Sequence, residues 1–512
     1  MDLQPPMTAR SAVLPIRFVG LGLCLLFTFF FFWPHPPASL LLLVLAAVLT
    51  YLRPQIAIAL LPLTFPYFLF LQPLSPSGSP AFYISELALY ICLATVLLRH
   101  IILSDERRAT WAWLGHLWQQ AGPFLIPALL LVVGALLASL VAPVPRDSLR
   151  SVREMIIEPL LYFLLVLRYL RTPSDVARTI GALILSMLVL ACIGIGQGIP
   201  RLKSFGNIFT PDLIRVDSFT YSANNLAFLL NCAIPLLLAL AFLGIWRRPT
   251  DSSLSPKPVW REPLRWLCLA LMVPMLVALY WTDSRGAEVS LLIVALGFLF
   301  FEARSRLLAL AVGGVGILGA ILFWPKILAM VDEPGHGNIS TRLYIWKAAL
   351  LMIRDHFLLG SGLGSFNILF RASYRAEAIA GQTTGIPTPA EPHPHNFIFD
   401  FWISTGLLGV VAIFWLLGAF AVMLRRTYRS CTGLRQASLL RRLLLGMGGC
   451  VLASALGGLV DSYYFLPDLA MLFWFFMGIL LVLRTIIREE VAALPAETQP
   501  ARVTRVKEPQ IG

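Results

Sequence analysis

Apolar runs of membrane-crossing length, separated by short polar or proline-bearing turns, recur along the whole chain. Roughly 20 helical residues span the hydrocarbon of a bilayer. Runs of that order occur near 16–32, 36–52, 54–73, 82–100, 122–142, 154–170, 177–198, 221–246, 264–282, 286–303, 307–324, 396–424, 443–460 and 468–487. The pattern predicts an all-α polytopic bundle of about 12–14 spans. The lower figure holds if 36–52 and 154–170 are re-entrant or interfacial. One long interruption, 325–394, breaks the sequence of spans, and long loops of this kind carry function or disorder. From Ser340, an N-cap residue type, TRLYIWKAALLMIRD sets Leu343, Trp346, Leu350 and Ile353 on one stripe and Lys347 and Arg354 on another. That predicts an amphipathic helix along the outer membrane surface. The glycines Gly360, Gly362 and Gly364 then predict a tight backbone passage, and 381–394, rich in Gly, Thr and Pro, reads as a mobile flap. The chain divides into N-terminal transmembrane helices (1–150), a core with the loop (151–487) and a charged, disordered tail (488–512).

Composition agrees with the pattern: 58% of the 512 residues are hydrophobic and 13% charged, far too little polar surface for a water-soluble globule. The formal charge of +13 does not indicate nucleic acid, because the basic residues fall in short clusters between apolar runs. That distribution is topogenic. Arg99, Arg107, Arg108, the 247–265 segment and the 425–442 segment mark the cytoplasmic side, which places both termini there as well. The seven cysteines lack metal-like spacing and read as packing residues. The first apolar run follows Arg10 and Arg17 as a signal sequence does, but no small-residue cleavage site follows, so it stays as the first span.

A few charges on the outer side are left unexplained by topology. Arg285, in TDSRGAEVSLL, joins two apolar runs at their outer ends; it is either a snorkelling cap or a phosphate ligand, for which a bidentate guanidinium is the best side chain. Arg215 opens RVDSFTYSANNLAFLL, in which Asn224 and Asn225 enter the membrane and need partners, whether in a packed hydrogen bond or on a ligand. Its neighbours Arg201 and Lys203 form either a lipid-headgroup fringe or part of the same site. In PHPHNFIFDFWISTGLLG, His395 and Asn396 stand at a helix start, with Gly406 and Gly409 about three turns deeper. A helix amino terminus disfavours imidazolium, so His395 is expected to be a neutral ring able to take a proton. The glycines predict close helix packing. Asp400, Glu154, Glu158, Asp461 and Asp468 are acids at membrane depth or at its edge that need partners. His393, Glu391, His336 and His356 share the loop, but none has zinc-motif spacing, and no metal is expected.

Taken together, RVDSFTYSANNLA, TDSRGAEVSL and STRLYIWKAALLMIRDHFLLGSGLGSF followed by HPHNFIFDFWISTGLLG resemble the O-antigen ligase and polysaccharide polymerase superfamily of bacterial membrane enzymes, over roughly residues 150–480. The pattern of histidine plus asparagine, nine residues, then Gly-x-x-Gly is met in full. The resemblance implies a glycan donor on polyprenyl (undecaprenyl) diphosphate, Arg215 and Arg285 as diphosphate ligands, and His395 as the base on an acceptor hydroxyl. Asn396, Asn224, Arg342, Trp346 and Asp400 fall in or beside the quoted stretches as supporting residues. It also implies no cofactor, a bacterial inner membrane location and an active site on the periplasmic face, with membrane lipids as partners. Ala223 departs from the family in standing where a proline commonly precedes the asparagine, and Asp283 adds a negative charge beside Arg285.

Elementary chemistry points the same way. An external site lacks nucleotide-sugar fuel, so forming a glycosidic bond there requires a substrate that carries its own leaving group. Two arginines neutralise the charge that develops on a departing diphosphate, as a divalent ion does elsewhere. The expectation is a glycosyltransferase acting on lipid A-core, inverting and metal-independent. Polysaccharide polymerase and protein O-oligosaccharyltransferase are the alternatives within the class. From another class, a transporter of an anion or lipid-linked glycan places its ionisable groups near mid-membrane, whereas these charges gather at the rim.

Overall fold

The computed structural model describes residues 15–32, 36–67, 71–73, 81–205, 214–220, 222–243, 262–301, 339–375, 393–431, 436–462 and 464–494, with isolated residues at 307, 310–311, 313–314 and 434. Its helices are α1 (Ile16–Phe32), α2 (Pro36–Leu52), α3 (Pro54–Leu60), α4 (Ile84–Ile102), α5 (Ser104–Leu140), α6 (Pro145–Val152), α7 (Glu158–Tyr169) and α8 (Pro173–Phe205). Then come α9 (Ala223–Asn231), α10 (Ile234–Phe242), α11 (Pro263–Trp281), α12 (Arg285–Phe301), α13 (Ile339–Asp355), α14 (Phe397–Ser430), α15 (Ala437–Gly457) and α16 (Pro467–Ala492). A three-residue antiparallel pair, Leu71–Pro73 with Ala81–Tyr83, is the sheet among the described residues. Proline opens several helices at the position where its missing N–H costs nothing, as at Pro145, Pro263 and Pro467.

Among the described residues, eight helical segments are long and apolar enough to cross a membrane, or nine if a bent pair counts as one span. The fold is therefore all-α and polytopic, as the pattern predicts. The bent pair replaces two of the expected spans: 41–52 and 54–63 meet at 117°. Arg53 precedes Pro54, which disfavours helix at that residue, and Pro62 and Pro66 then confine the chain to short 3-10 turns. The expected spans at 154–170 and 286–303 appear as the shorter helices α7 and α12, while 307–324 lies largely outside the described residues. α16 continues to Ala492, into the expected tail, and residues 495–512 of that tail lie outside the described residues.

α16 is the central helix, with its side chains buried from Asp468 to Leu483; the α9–α10 segment is buried almost as fully. The remaining helices surround these two and turn leucine, isoleucine and valine outward, as at Leu129, Leu140 and Leu292, the arrangement expected where lipid is the solvent. The acids at 154 and 158 find partners. Arg153 donates to Glu86 and Glu154 at 2.8 Å each and to the Tyr90 hydroxyl at 2.9 Å, and Tyr90 in turn donates to Glu158. At the opposite end, Arg442 donates to the Leu240 carbonyl and to Glu262, while Arg265 donates to the Ala241 and Leu243 carbonyls, so two arginines close the end of α10.

The long helices α5 and α14 run antiparallel. A Cβ on Gly134 would lie 2.9 Å from the Thr405 carbonyl oxygen and 3.3 Å from the Gly409 nitrogen, so the predicted close packing exists at Gly409. Gly406 has a different task. It takes φ 65° and receives the loop that follows α13: Leu407 N–H donates to Leu358 O at 3.1 Å, and Ser361 N–H to Ile403 O at 2.6 Å. A side chain at 406 would strike the Leu358 carbonyl, and one at Gly360, φ 73°, would strike the Gly406 nitrogen.

The helix predicted after Ser340 forms, but its faces are distributed differently. Ile345, Ala348, Ala349, Met352 and Ile353 are buried against Phe366, Phe370 and Ile403. Leu343 and Leu350 are 54% and 53% exposed, on the side that also carries Lys347 and Arg354. The small residues Ala348 and Ala349 admit the neighbouring chain, and this tertiary contact overrides the stripe of larger side chains.

Candidate functional site

The amino terminus of α14 sits over the turn between α15 and α16. Asn396 caps α14, its Oδ1 accepting from the Ile398 and Phe399 N–H groups at 3.0 and 3.2 Å. Its Nδ2 donates to Leu459 O at 2.8 Å, and Phe397 N–H donates to Gly458 O at 2.8 Å. One asparagine therefore starts the helix and anchors it to the loop that follows α15.

This anchoring brings His395 to Asp461. His395 Nδ1 lies 2.8 Å from Asp461 Oδ1, and both side chains are largely buried. Asn224, at the first turn of α9, donates from Nδ2 to Asp461 Oδ2 at 2.5 Å; Ser462 N–H donates to Oδ1 at 2.8 Å; and Arg342 Nη2 stands 3.9 Å away. Arg342 also donates to the Val460 carbonyl. Burial alone raises the Asp461 carboxyl, but the His395 hydrogen bond and the charges of His395, His393 and Arg342 outweigh it and hold the group at about 2. An ionised Asp461 accepts from Nδ1–H, which puts the basic lone pair of the ring on Nε2. Trp346 Nε1 donates to the His395 carbonyl at 3.4 Å, and its ring meets Phe399 edge-on.

Asp400 is not in direct hydrogen-bond contact with His395. It is fully buried and accepts from Ser462 Oγ at 2.7 Å and Ser404 Oγ at 3.5 Å, so Ser462 bridges the two acids, its N–H on Asp461 and its hydroxyl on Asp400. The neighbouring acid Asp468 takes Asn225 Nδ2 at 3.0 Å. Both asparagines of the predicted pair thus have carboxylate partners.

Arg215 and Arg285 lie at the same end of the bundle and join this centre through backbone and packing contacts. Val216 N–H donates to Trp281 O at 2.9 Å, which ties the Arg215 segment to the α11–α12 turn. Gly286, next to Arg285, abuts Val460: a Cβ there would meet Val460 Cγ2 at 2.6 Å. Val460 is the residue before Asp461. Both guanidinium groups face outward, Arg285 with 80% of its side chain exposed and Asp283 4.0 Å from its Nε. The negative neighbour foreseen in the sequence therefore stands beside Arg285 at the edge of ion-pair distance.

Non-glycine residues with left-handed backbone occur at Ser218, Asp283, His395 and Tyr464, with φ of 55°, 52°, 50° and 103°. Each lies within three residues of Arg215, Arg285 or Asp461, or is His395 itself. Such conformations cost on the order of 1–3 kcal/mol and gather at functional sites, an indication of this centre that does not depend on side-chain chemistry.

His393, His395 and Asp461 offer ligand atoms within 4.8 Å of one another, the grouping among the described residues with metal-like composition. Asp461 already accepts from His395, Asn224 and the Ser462 N–H, with Arg342 close by. Those contacts account for its charge and its lone pairs, so the donor set fits a hydrogen-bonded centre better than a metal centre. Asp461 is the residue that sequence reasoning underrated. Its signal was an acid at a turn between two spans, where a buried carboxylate needs a cationic partner.

These features define a polytopic all-α membrane protein with an imidazole–carboxylate pair and exposed guanidinium groups at one end of its bundle. Residues 270–414 match the family model described as O-Antigen ligase, and this domain supports a relationship to the O-antigen ligase superfamily of glycosyltransferase-like membrane ligases and polymerases. The matched stretch contains Arg285, Arg342, Trp346, His395, Asn396 and Asp400, whereas Arg215, Asn224 and Asp461 lie outside it. No match was found among curated proteins.

Proposed function

We propose that the protein transfers a glycan from a polyprenyl diphosphate carrier to a hydroxyl of lipid A-core on the periplasmic face of the bacterial inner membrane. The His395–Asp461 pair, set at the same bundle end as two outward arginines, carries this reading. Arg215 and Arg285 bind the diphosphate. The acceptor hydroxyl gives its proton to Nε2 of His395 while its oxygen bonds to the anomeric carbon. The bond from that carbon to the diphosphate oxygen breaks, and its electron pair leaves on the diphosphate, where the guanidinium groups meet the new charge. Asp461 fixes the ring tautomer and stabilises the imidazolium as it forms, and general base action of this kind contributes typically ~10²–10⁴-fold. Direct displacement inverts the anomeric centre. Asn224 and Arg342 hold Asp461, Trp346 and Asn396 hold the His395 backbone, and Asp400 acts through Ser462. Two arginines supply the charge neutralisation, so the reaction proceeds without a divalent ion.

The test is purified protein with labelled polyprenyl diphosphate glycan, offered lipid A-core, a second glycan and a protein hydroxyl in turn, in chelator. Transfer to lipid A-core is expected. Transfer to the second glycan alone assigns a polymerase, and no transfer to any acceptor overturns the reading.

A further inference from the structure

We propose that Gln197 and Arg201 are positioning residues that hold Arg215 in place for the donor diphosphate, without touching it themselves. This rests on the donor reading above and adds residues to which that reading assigns no role. They occupy positions i and i+4 near the end of α8 and therefore project from one face. That face seats the 214–218 segment. Gln197 Nε2 donates to Ser218 O at 2.8 Å, and Ser218 N–H donates to Gln197 Oε1 at 2.8 Å, so one side-chain amide engages both backbone polar groups of a single residue. Ser218 Oγ adds a bond to Leu190 O at 3.1 Å. Arg201 Nη1 donates to Ile214 O at 2.8 Å and to Arg215 O.

The seat has a sequence basis. Gly194 and Gly198 lie on the same face; a Cβ at 194 would sit 3.5 Å from Val216 Cγ2, and one at 198 would sit 3.1 Å from Ile214 Cγ2. Ile214 and Val216 are fully buried, while Arg215 between them is exposed, the alternation of an extended segment pressed against a helix. Ser218 closes the segment at φ 55°, a conformation that L residues resist and that needs surrounding contacts to persist. Gln197 supplies two of those contacts. Arg201 has a cationic head at the diphosphate rim but directs Nη1 at two carbonyls, so its assignment is to the backbone and not to lipid headgroups.

The experiment uses the full-length protein in nanodiscs, with undecaprenyl diphosphate binding and hydrogen exchange across 214–220 as readouts. Gln197→Leu is expected to speed exchange at 216–218 and to weaken binding on the order of tenfold, the loss of about two hydrogen bonds of ordinary net worth. The loss should vanish when Gln197→Leu is added to Arg215→Ala and persist when it is added to Arg285→Ala. Ser218→Gly, which removes the cost of the left-handed backbone, should restore much of the affinity to Gln197→Leu. Unchanged α16 exchange in Gln197→Leu excludes global unfolding, and if that variant does not fold, Gln197→Glu, which keeps the acceptor half, takes its place. Unaltered exchange at 216–218, or an equal loss with and without Arg215, overturns the proposal. If the wild-type protein binds no diphosphate lipid, the donor reading falls, and the role given to Gln197 falls with it even when exchange confirms the clamp.

Discussion

Val216 donates its backbone N–H to the carbonyl of Trp281 at 2.9 Å, which couples the segment that carries Arg215 to the turn that carries Arg285. The two arginines, distant in the chain, therefore sit on segments joined by a backbone hydrogen bond. Arg215→Lys and Arg285→Lys should each lower kcat/KM about 10–100-fold although charge is kept, because an ammonium lacks the planar fork that matches phosphate oxygens. Initial rates with labelled donor measure this. Wild-type rates in both lysine variants would remove the arginines from donor binding.

His395→Ala should lose transfer by roughly 10²–10⁴-fold while the donor affinity stays near that of the wild type. Titration of the inactive variant with undecaprenyl diphosphate separates the two effects. A parallel loss of affinity would place His395 among the donor ligands instead.

Asp461→Asn changes the pH profile as well as the rate. The carboxyl is held at about 2, below its ordinary 3.8, so the charge is present throughout neutral and mildly acidic pH. A depressed carboxyl contributes stability above its unfolded value and loses it only as pH falls towards 2. The acid limb of activity above pH 4 is therefore not that of Asp461, and protonation of the His395 base is expected to contribute to it. Removing the adjacent carboxylate destabilises imidazolium, so in Asp461→Asn that limb moves to lower pH while the plateau falls. A pH series of kcat/KM checks the direction of the shift; a limb displaced upward would contradict the assigned pairing.

Gly406→Ala introduces a methyl group against the Leu358 carbonyl at a backbone angle of φ 65°. Strain of ~1–2 kcal/mol from the left-handed backbone adds to the clash, so unfolding should occur several degrees lower. Hydrogen exchange at Ser361 and Leu407, whose N–H groups bond across this junction, should rise in the same variant.

Asn396→Ala removes a cap worth about 1 kcal/mol together with the bond to Leu459 O. Activity should fall more than stability, because the cap also sets His395 over Asp461. Asn396→Asp keeps the capping oxygen but not the donor to Leu459, and should fall between the wild type and alanine in both measurements.

Much of this architecture was legible in the chain because its signals are local. Long apolar runs report spans, Asn396 before an apolar stretch reports a helix start, and alternate glycines after Asp355 report a tight passage, realised at Gly360, Gly362 and Gly364. The runs on either side of Arg53 were read as separate candidate spans, but the 117° bend between them depends on what packs against it. Asp461 was read only as an acid at a turn, since its partners His395, Asn224 and Arg342 come from other parts of the chain. The faces of α13 were misassigned for a related reason: periodicity identifies a stripe, while the partner surface of Phe366, Phe370 and Ile403 selects which stripe is covered.

The left-handed residues Ser218, Asp283, His395 and Tyr464 carry one further consequence. Backbone held in these conformations by its contacts has little rearrangement left to undergo, so under the proposed function a lipid donor would meet the mouth of the bundle as a stiff template. Sequence change there is correspondingly restricted, because a β-branched residue at any of these positions would add to the cost of the left-handed backbone.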